Sequence, residues 1–399
     1  MRFLINSTIF VFLLTVQGIT SAKDSWKRVD RIIAIGDLHG DYEQYQAVLR
    51  MTRLIDESGK WIGGRTHLVQ NGDIPDRGAD SLKIIRHLQT LEKAARKSKG
   101  YVHLLIGNHE AMNIYGDLRY VHAGEYEVLI DQESPRRQAD YYQRFIKYMA
   151  SSGSETLADD AFREQWMISY PLGYVEHRIL WHPGGEVAEW VRKHNSVIKI
   201  NHTLFVHGGI NPHLPLQSIR QINKIARREL SQSPLPDGTL IESADGPLWY
   251  RGLAKNPEAT ELTAMLAMLE FYDAGQIVMG HSPTRGIINP RFDAKAIVID
   301  VGLAAHYGSG MAALLIENGK FFAIHRGKKI PLPADDSELV NYFKKIVPLE
   351  PDPVYLERII EQLESLKRQL PVPSSSQTLP PSSDVFRRLN QTLSLSHRL

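Results

Sequence analysis

Six short apolar, β-branched runs, at 31–35, 66–70, 101–106, 203–206, 276–279 and 296–299, constrain this chain more than anything else in it. Each is too short for a stable helix and each is followed by polar residues, most by a cluster of Gly, Asp, Asn or His, so they read as buried strands. Helix-like stretches at 42–51 and 80–97 lie between the first of them. Strand and helix therefore alternate, as in layered α/β proteins, where ligands sit beyond the carboxyl ends of the strands. The polar clusters stand at such ends.

The first cluster is Gly36-Asp37-Leu38-His39-Gly40. In an extended strand end, Asp37 and His39 point the same way and converge on one cation. The second, Gly72-Asp73-Ile74-Pro75-Asp76-Arg77-Gly78, offers two carboxylates and a guanidinium suited to a tetrahedral phosphate. Its flanking glycines let backbone approach a bulky ligand. Taken alone it is also compatible with a charged turn pairing Asp76 with Arg77. Gly107-Asn108-His109-Glu110 adds an amide oxygen beside a titratable ring, and His207-Gly208-Gly209 and Gly280-His281-Ser282 each follow a further strand.

Together the series GDLHG, GDIPDRG, GNHE, HGG and GHS resembles the metallo-dependent phosphoesterases, in the form of their phosphoprotein phosphatase branch. Trp181-His182-Pro183-Gly184-Gly185, the run from Gly246 to Arg251 and Ile299-Asp300-Val301-Gly302 resemble the bacterial Shewanella-like protein phosphatases, over roughly 31–324. That resemblance implies an α/β fold, a layered β-sandwich flanked by helices. It implies one metal held by Asp37, His39 and a bridging Asp73, and a second held by Asp73, Asn108, His207 and His281. Oxygen and nitrogen ligands without thiolate suit manganese, iron or zinc and do not choose among them, and manganese is taken as the working expectation. Two such ions activate a water for in-line attack on phosphorus, with no covalent phosphoenzyme. His109 is then the acid that protonates the leaving oxygen, Asp76 orients its ring, and Arg77 and Arg251 clamp phosphate oxygens. Asn108 and Tyr307 complete the substrate wall.

The implied substrate is a phosphoprotein or phosphopeptide bearing phosphotyrosine or phosphoserine/threonine. A small phosphomonoester or dinucleoside polyphosphate is the alternative, and an inactive phosphate-binding protein a third reading. The sequence departs from the eukaryotic enzymes where Leu105-Ile106 precedes GNHE in place of an Arg, and where Ala304-Ala305-His306 precedes Tyr307.

Composition bounds the rest. With 43% hydrophobic and 23% charged residues the 399-residue chain is globular, and a formal charge of +2 supplies no overall field to attract nucleic acid. The absence of cysteine excludes disulfides, thiolate ligation and cysteine nucleophiles. Residues 1–22 have the basic start, apolar run and small-residue end of a secretory signal peptide, so the mature protein is expected to be exported, periplasmic or secreted, without stable membrane insertion. The expected organisation is a metallophosphatase domain at 28–330 with a mainly helical, cap-like insertion at about 111–200, a helical extension at 331–370, and a flexible tail at 371–399. In the extension Leu356, Ile359, Ile360, Leu363, Leu366 and Leu370 fall at helical spacing, which predicts one buried face. Oligomeric state is left unassigned.

Overall fold

The computed structural model describes residues 23–152 and 159–368. The expected signal peptide and tail lie outside them. The order begins β1 (Ser25–Trp26), β2 (Arg31–Ile35), α1 (Tyr42–Met51), β3 (His67–Gln70), α2 (Ser81–Lys97), β4 (Tyr101–Leu104) and α3 (Asn108–Tyr115). The insertion follows as α4 (Ala123–Glu127), α5 (Ser134–Ser151), α6 (Asp160–Ser169), α7 (Tyr174–Trp181) and α8 (Glu186–Val191). Then come β5 (Val197–Ile200), β6 (Thr203–Val206), α9 (Ile219–Glu229), α10 (Gly252–Lys255), α11 (Glu258–Phe271), β7 (Gln276–Met279), β8 (Asn289–Arg291) and β9 (Ala296–Val298). The described chain closes with β10 (Ala312–Glu317), β11 (Lys320–His325), β12 (Lys328–Pro331), α12 (Leu339–Ile346) and α13 (Val354–Arg368).

Two six-stranded mixed sheets result, ordered β12-β11-β10-β2-β3-β4 and β1-β5-β6-β7-β9-β8. Within them β2, β3 and β4 run parallel, as do β6, β7 and β9. The period of two is visible in the second sheet: Ile198, Phe205, Val278 and Ile297 join the core shared with the first sheet, while Leu204, Val206, Ile277 and Met279 pack on the other side with Met265 and Met268 of α11. This is the layered sandwich with flanking helices that the resemblance implies. At one edge the sheets are linked where Ile106 N donates to Asn195 O at 3.0 Å.

Three boundaries differ from the sequence reading. β5 belongs to the second sheet, so the inserted segment ends before 197. β1 pairs in parallel with β5, so the domain begins ahead of residue 28. Asp80 caps α2 rather than starting it. The extension docks as its periodicity predicts: Leu356, Ile359, Ile360 and Leu363 are buried, while Leu370 lies outside the described residues. Tyr342 on α12 donates its hydroxyl to Ile288 O at 2.8 Å, and Glu350 pairs with His325 and with Arg326 at 3.1 Å. Among the described residues no helix is long and apolar enough to cross a membrane.

Candidate metal centre

Asp37, Asp73, Asn108, His207, His281 and Asp300 all follow the carboxyl ends of parallel strands, three from each sheet. The sandwich thereby brings residues far apart in sequence to one edge. Local backbone then aims them. His39, Asp73, Asp76, Arg77 and His281 have φ of 46°, 56°, 74°, 67° and 63°, a left-handed conformation that costs L-residues about 1–2 kcal/mol each. Asp37 and His39 therefore do not converge by strand alternation, as their spacing suggested: β2 has ended and a left-handed turn swings His39 round. The glycines serve loop packing rather than ligand approach. A Cβ on Gly72 would sit 2.8 Å from both Gly107 and His207 Nδ1.

Glu110 clamps the site. As N3 of α3 its carboxylate accepts from Gly107 N (2.7 Å), and it also takes Asp73 N (3.0 Å) and Ile74 N (2.7 Å). Asp73 is the hub. Its Oδ1 accepts from His109 N (3.0 Å), and its Oδ2 lies 3.2 Å from His207 Nε2, 3.8 Å from His109 Nε2 and 3.9 Å from His39 Nε2. Burial alone would raise its pKa, but the imidazoles of His207, His109 and His39 hold it well below the usual carboxylate value.

The ring tautomers follow from their outer partners. His207 Nδ1 donates to Asn71 O (2.7 Å), so neutral His207 turns a lone pair at Nε2 toward Asp73, toward Asn108 Oδ1 (3.0 Å) and toward His281 Nδ1 (3.2 Å). His39 Nδ1 lies 3.3 Å from Pro75 O and its Nε2 faces Asp37 at 3.9 Å. Both Asp37 oxygens also accept from His281 N at 3.1 Å. Two sets, His39, Asp73 and His109, and Asp73, His207 and His281, each place one ligand atom per residue within 4.8 Å of the others.

This crowd of acceptors fits divalent cations. His281 Nδ1 adds a second imidazole nitrogen 3.2 Å from His207 Nε2. Burial and the neighbouring carboxylates Asp300 and Asp73 raise Asp37 well above its ordinary pKa, burial pushes Asp300 up to about 6, and burial with Asp73 pushes Glu110 up to about 7. So many acids cannot all ionise in one buried site without added positive charge. Burial lowers His39 to about 3 and lowers His281 well below its ordinary value, keeping both rings neutral and able to ligate.

Beside the ligand crowd, His109 Nδ1 pairs with Asp76 Oδ2 at 2.5 Å, and Asn113 Nδ2 holds Asp76 Oδ1 at 2.9 Å. Burial opposes protonation of His109, but Asp73 and Asp76 outweigh it and raise the ring's pKa. Asp76 is thus not paired with Arg77. Arg77 instead lies over the Tyr120 ring at 4.0 Å, its Nε buried without a partner among the described residues. Arg251 donates to His281 O and to Ser282 Oγ (3.3 Å), and the Tyr307 ring stands 5.0 Å from that of His39. Tyr120 and Glu125, which accepts from Asp76 N at 3.3 Å, bring the start of the insertion against the site.

The residues expected as metal ligands, acid pair and substrate contacts, Asp37, His39, Asp73, Asp76, Arg77, Asn108, His109, His207, Arg251, His281 and Tyr307, are brought together here. Missed were the clamp Glu110, the orienting Asn71 and Asn113, and Asp300, whose Oδ1 accepts from Gly302 N at 3.0 Å. Asp300 follows a strand as Asp37 and Asp73 do, so the same strand-end rule would have found it.

Such a donor set, opening beside two guanidiniums on this sandwich, defines a metal-dependent phosphoester hydrolase. The chain belongs to the calcineurin-like phosphoesterase family, whose model matches residues 30–285. It is 30% identical over 266 residues to Shewanella-like protein phosphatase 1 of Plasmodium berghei, covering 65% of this chain and 63% of that one. It is 28% identical over 302 residues to Shewanella-like protein phosphatase 2 of Arabidopsis thaliana, covering 73% and 75%. Among solved structures, the cold-active protein-tyrosine phosphatase of a psychrophilic Shewanella species superposes with a TM-score of 0.57 at 26% identity, covering 77% of this chain and 82% of that one.

Proposed function

We propose that this chain is a protein phosphatase that hydrolyses phosphotyrosine and phosphoserine/threonine at a two-ion centre, with manganese as the resident metal. The observation that carries the reading is the convergence of His207 Nε2, Asp73 Oδ2, Asn108 Oδ1 and His281 Nδ1, all electron-pair donors, next to an imidazole backed by a carboxylate. Similarity to proteins named as protein phosphatases supports the phosphoprotein substrate. Asp37, His39 and Asp73 would hold one ion, and Asp73, Asn108, His207 and His281 the other. Bound there, divalent ions supply Lewis acidity, making water nucleophilic and offsetting phosphate charge.

The protein's own groups do the rest. Arg251 and Arg77 bind the non-transferred oxygens, and the Tyr307 ring walls the phosphate. His109, its Nδ1 proton committed to Asp76, delivers a proton from Nε2 to the leaving oxygen. Glu110 and Asn113 keep Asp73 and Asp76 in register. We propose further that the mature protein is exported, a reading supported by the composition of residues 1–22 and the lack of cysteine.

Phosphate release from matched phosphotyrosine peptides, phosphoserine peptides and nucleotides by the manganese-loaded protein tests the substrate class. Peptides are expected to turn over much faster than nucleotides. Turnover of nucleotides alone would replace the proposal with a small-substrate enzyme.

A further inference from the structure

Arg31, His67 and Tyr101 open β2, β3 and β4, so whatever gathers there lies across the length of the strands from the metal centre, about 20 Å away at ~3.3 Å per residue. At this amino-terminal end a recess of about 430 Å³ is lined by Lys27, Arg28, Arg31, Arg65 and Lys99 against a single carboxylate, Asp30. The five cations come from three separate chain segments, and the gathering is therefore a product of the fold. Arg28 and Lys99 are held in it by left-handed turns, with φ of 59° and 60°.

Arg31 is anchored as the floor. It donates to Thr66 Oγ1 (2.8 Å) and Thr52 O (3.2 Å), and its Nε lies 3.8 Å from Glu317, a carboxylate already paired with Lys329 at 2.6 Å. Among the described residues Lys27, Arg28, Arg65 and Lys99 have no carboxylate within ion-pair distance. Trp26 forms a wall shared with a second recess of about 300 Å³, where Lys23, Arg96 and Lys193 meet the single acid Glu92. A chain of net charge +2 thus concentrates cations on one concave face. Mutual repulsion there is relieved by a bound anion, and arginine forks match phosphate oxygens.

We propose that this face binds a phosphate-bearing anion of two or more charges, separately from the metal centre. The same chemistry is offered by an anionic lipid headgroup and by a soluble diphosphate.

Two measurements on the manganese-loaded full chain, each with the variant R28E/R65E/K99E, separate the sources. These exposed side chains lie far from the catalytic groups, so hydrolysis of a small aryl phosphate should be unchanged in the variant, which also verifies its folding. One arm is co-sedimentation with vesicles of phosphatidylcholine and cardiolipin, a lipid with two phosphates, against phosphatidylcholine alone. The other is equilibrium dialysis with methylenediphosphonate, counting equivalents bound. Expected is either sedimentation on the anionic vesicles or one more equivalent of diphosphonate in the wild type than in the variant. Vesicle binding should fall at least about tenfold in the variant, the extra diphosphonate equivalent should be lost from it, and both signals should weaken steeply with salt. Vesicle binding alone identifies the lipid source, and diphosphonate binding alone the soluble one. Wild type and variant behaving alike in both arms overturns the proposal.

Discussion

His109 meets Asp73 through one ring nitrogen and Asp76 through the other, so it can hold a proton on Nε2 while Asp76 fixes its orientation. His109→Asn is expected to lower kcat by about 10²–10⁴-fold while leaving the metal content of the purified protein unchanged. Loss of metal together with kcat would make His109 a ligand instead, as its place in the set with His39 and Asp73 allows. Glu110 touches no substrate, yet it receives three backbone N–H groups that shape the Asp73 turn. Glu110→Gln replaces an acceptor oxygen with a donor facing those N–H groups. A stability loss of about 1–3 kcal/mol in urea unfolding should result, with weaker metal affinity measured by chelator competition. The ligands themselves were legible because each ends a strand. Glu110 was visible only as part of GNHE, since its work is done on backbone that a sequence does not place.

At the scale of elements, α7 of the insertion buries His177 against the rings of Tyr126 and Trp181, and neither ring nitrogen has a partner among the described residues. Burial depresses this imidazole to about 3 from an ordinary 6.5. The unfolded chain therefore binds a proton that the folded one refuses. Stability tied to His177 is complete above pH 6.5 and is lost progressively as the pH falls from there toward 3. The urea midpoint should drop between pH 7 and pH 5, and drop less in His177→Phe. A second element, α12, holds the segment after the His281 loop through the Tyr342 hydroxyl. Tyr342→Phe leaves Ile288 O buried without that donor, which should cost about 1 kcal/mol in thermal or urea unfolding.

Strands from 31 to 106 were readable because the apolar runs are continuous and end in polar clusters. The hairpin of β10 and β11 was not read, although Asn318-Gly319 forms its two-residue connection and is a turn signal in its own right. The antiparallel pairing of β10 with β2 has no local signature at all, Leu314 pairing with Ala34 and Glu317 with Arg31 from the far end of the sequence.

For the whole molecule, the two sheets exist in a relation that only tertiary packing sets. Their carboxyl ends share one edge, where the metal centre sits, while the cationic recess lies at the amino ends of β2 and β3. Hydrogen bonds such as His207 Nδ1 to Asn71 O and His281 N to Asp37 cross from one sheet's loops to the other's. Filling the centre with cations should therefore stabilise the whole fold. Metal removal is expected to lower the melting temperature, and manganese to restore it in proportion to occupancy.

The most direct test of a two-ion phosphatase is phosphate release from a phosphotyrosine peptide by metal-stripped protein, with bound manganese counted at each addition and Asp73→Asn alongside. The account predicts no turnover without metal, recovery that completes as the second equivalent binds, and no recovery in Asp73→Asn. Full turnover by the metal-free protein, or by Asp73→Asn, would contradict it.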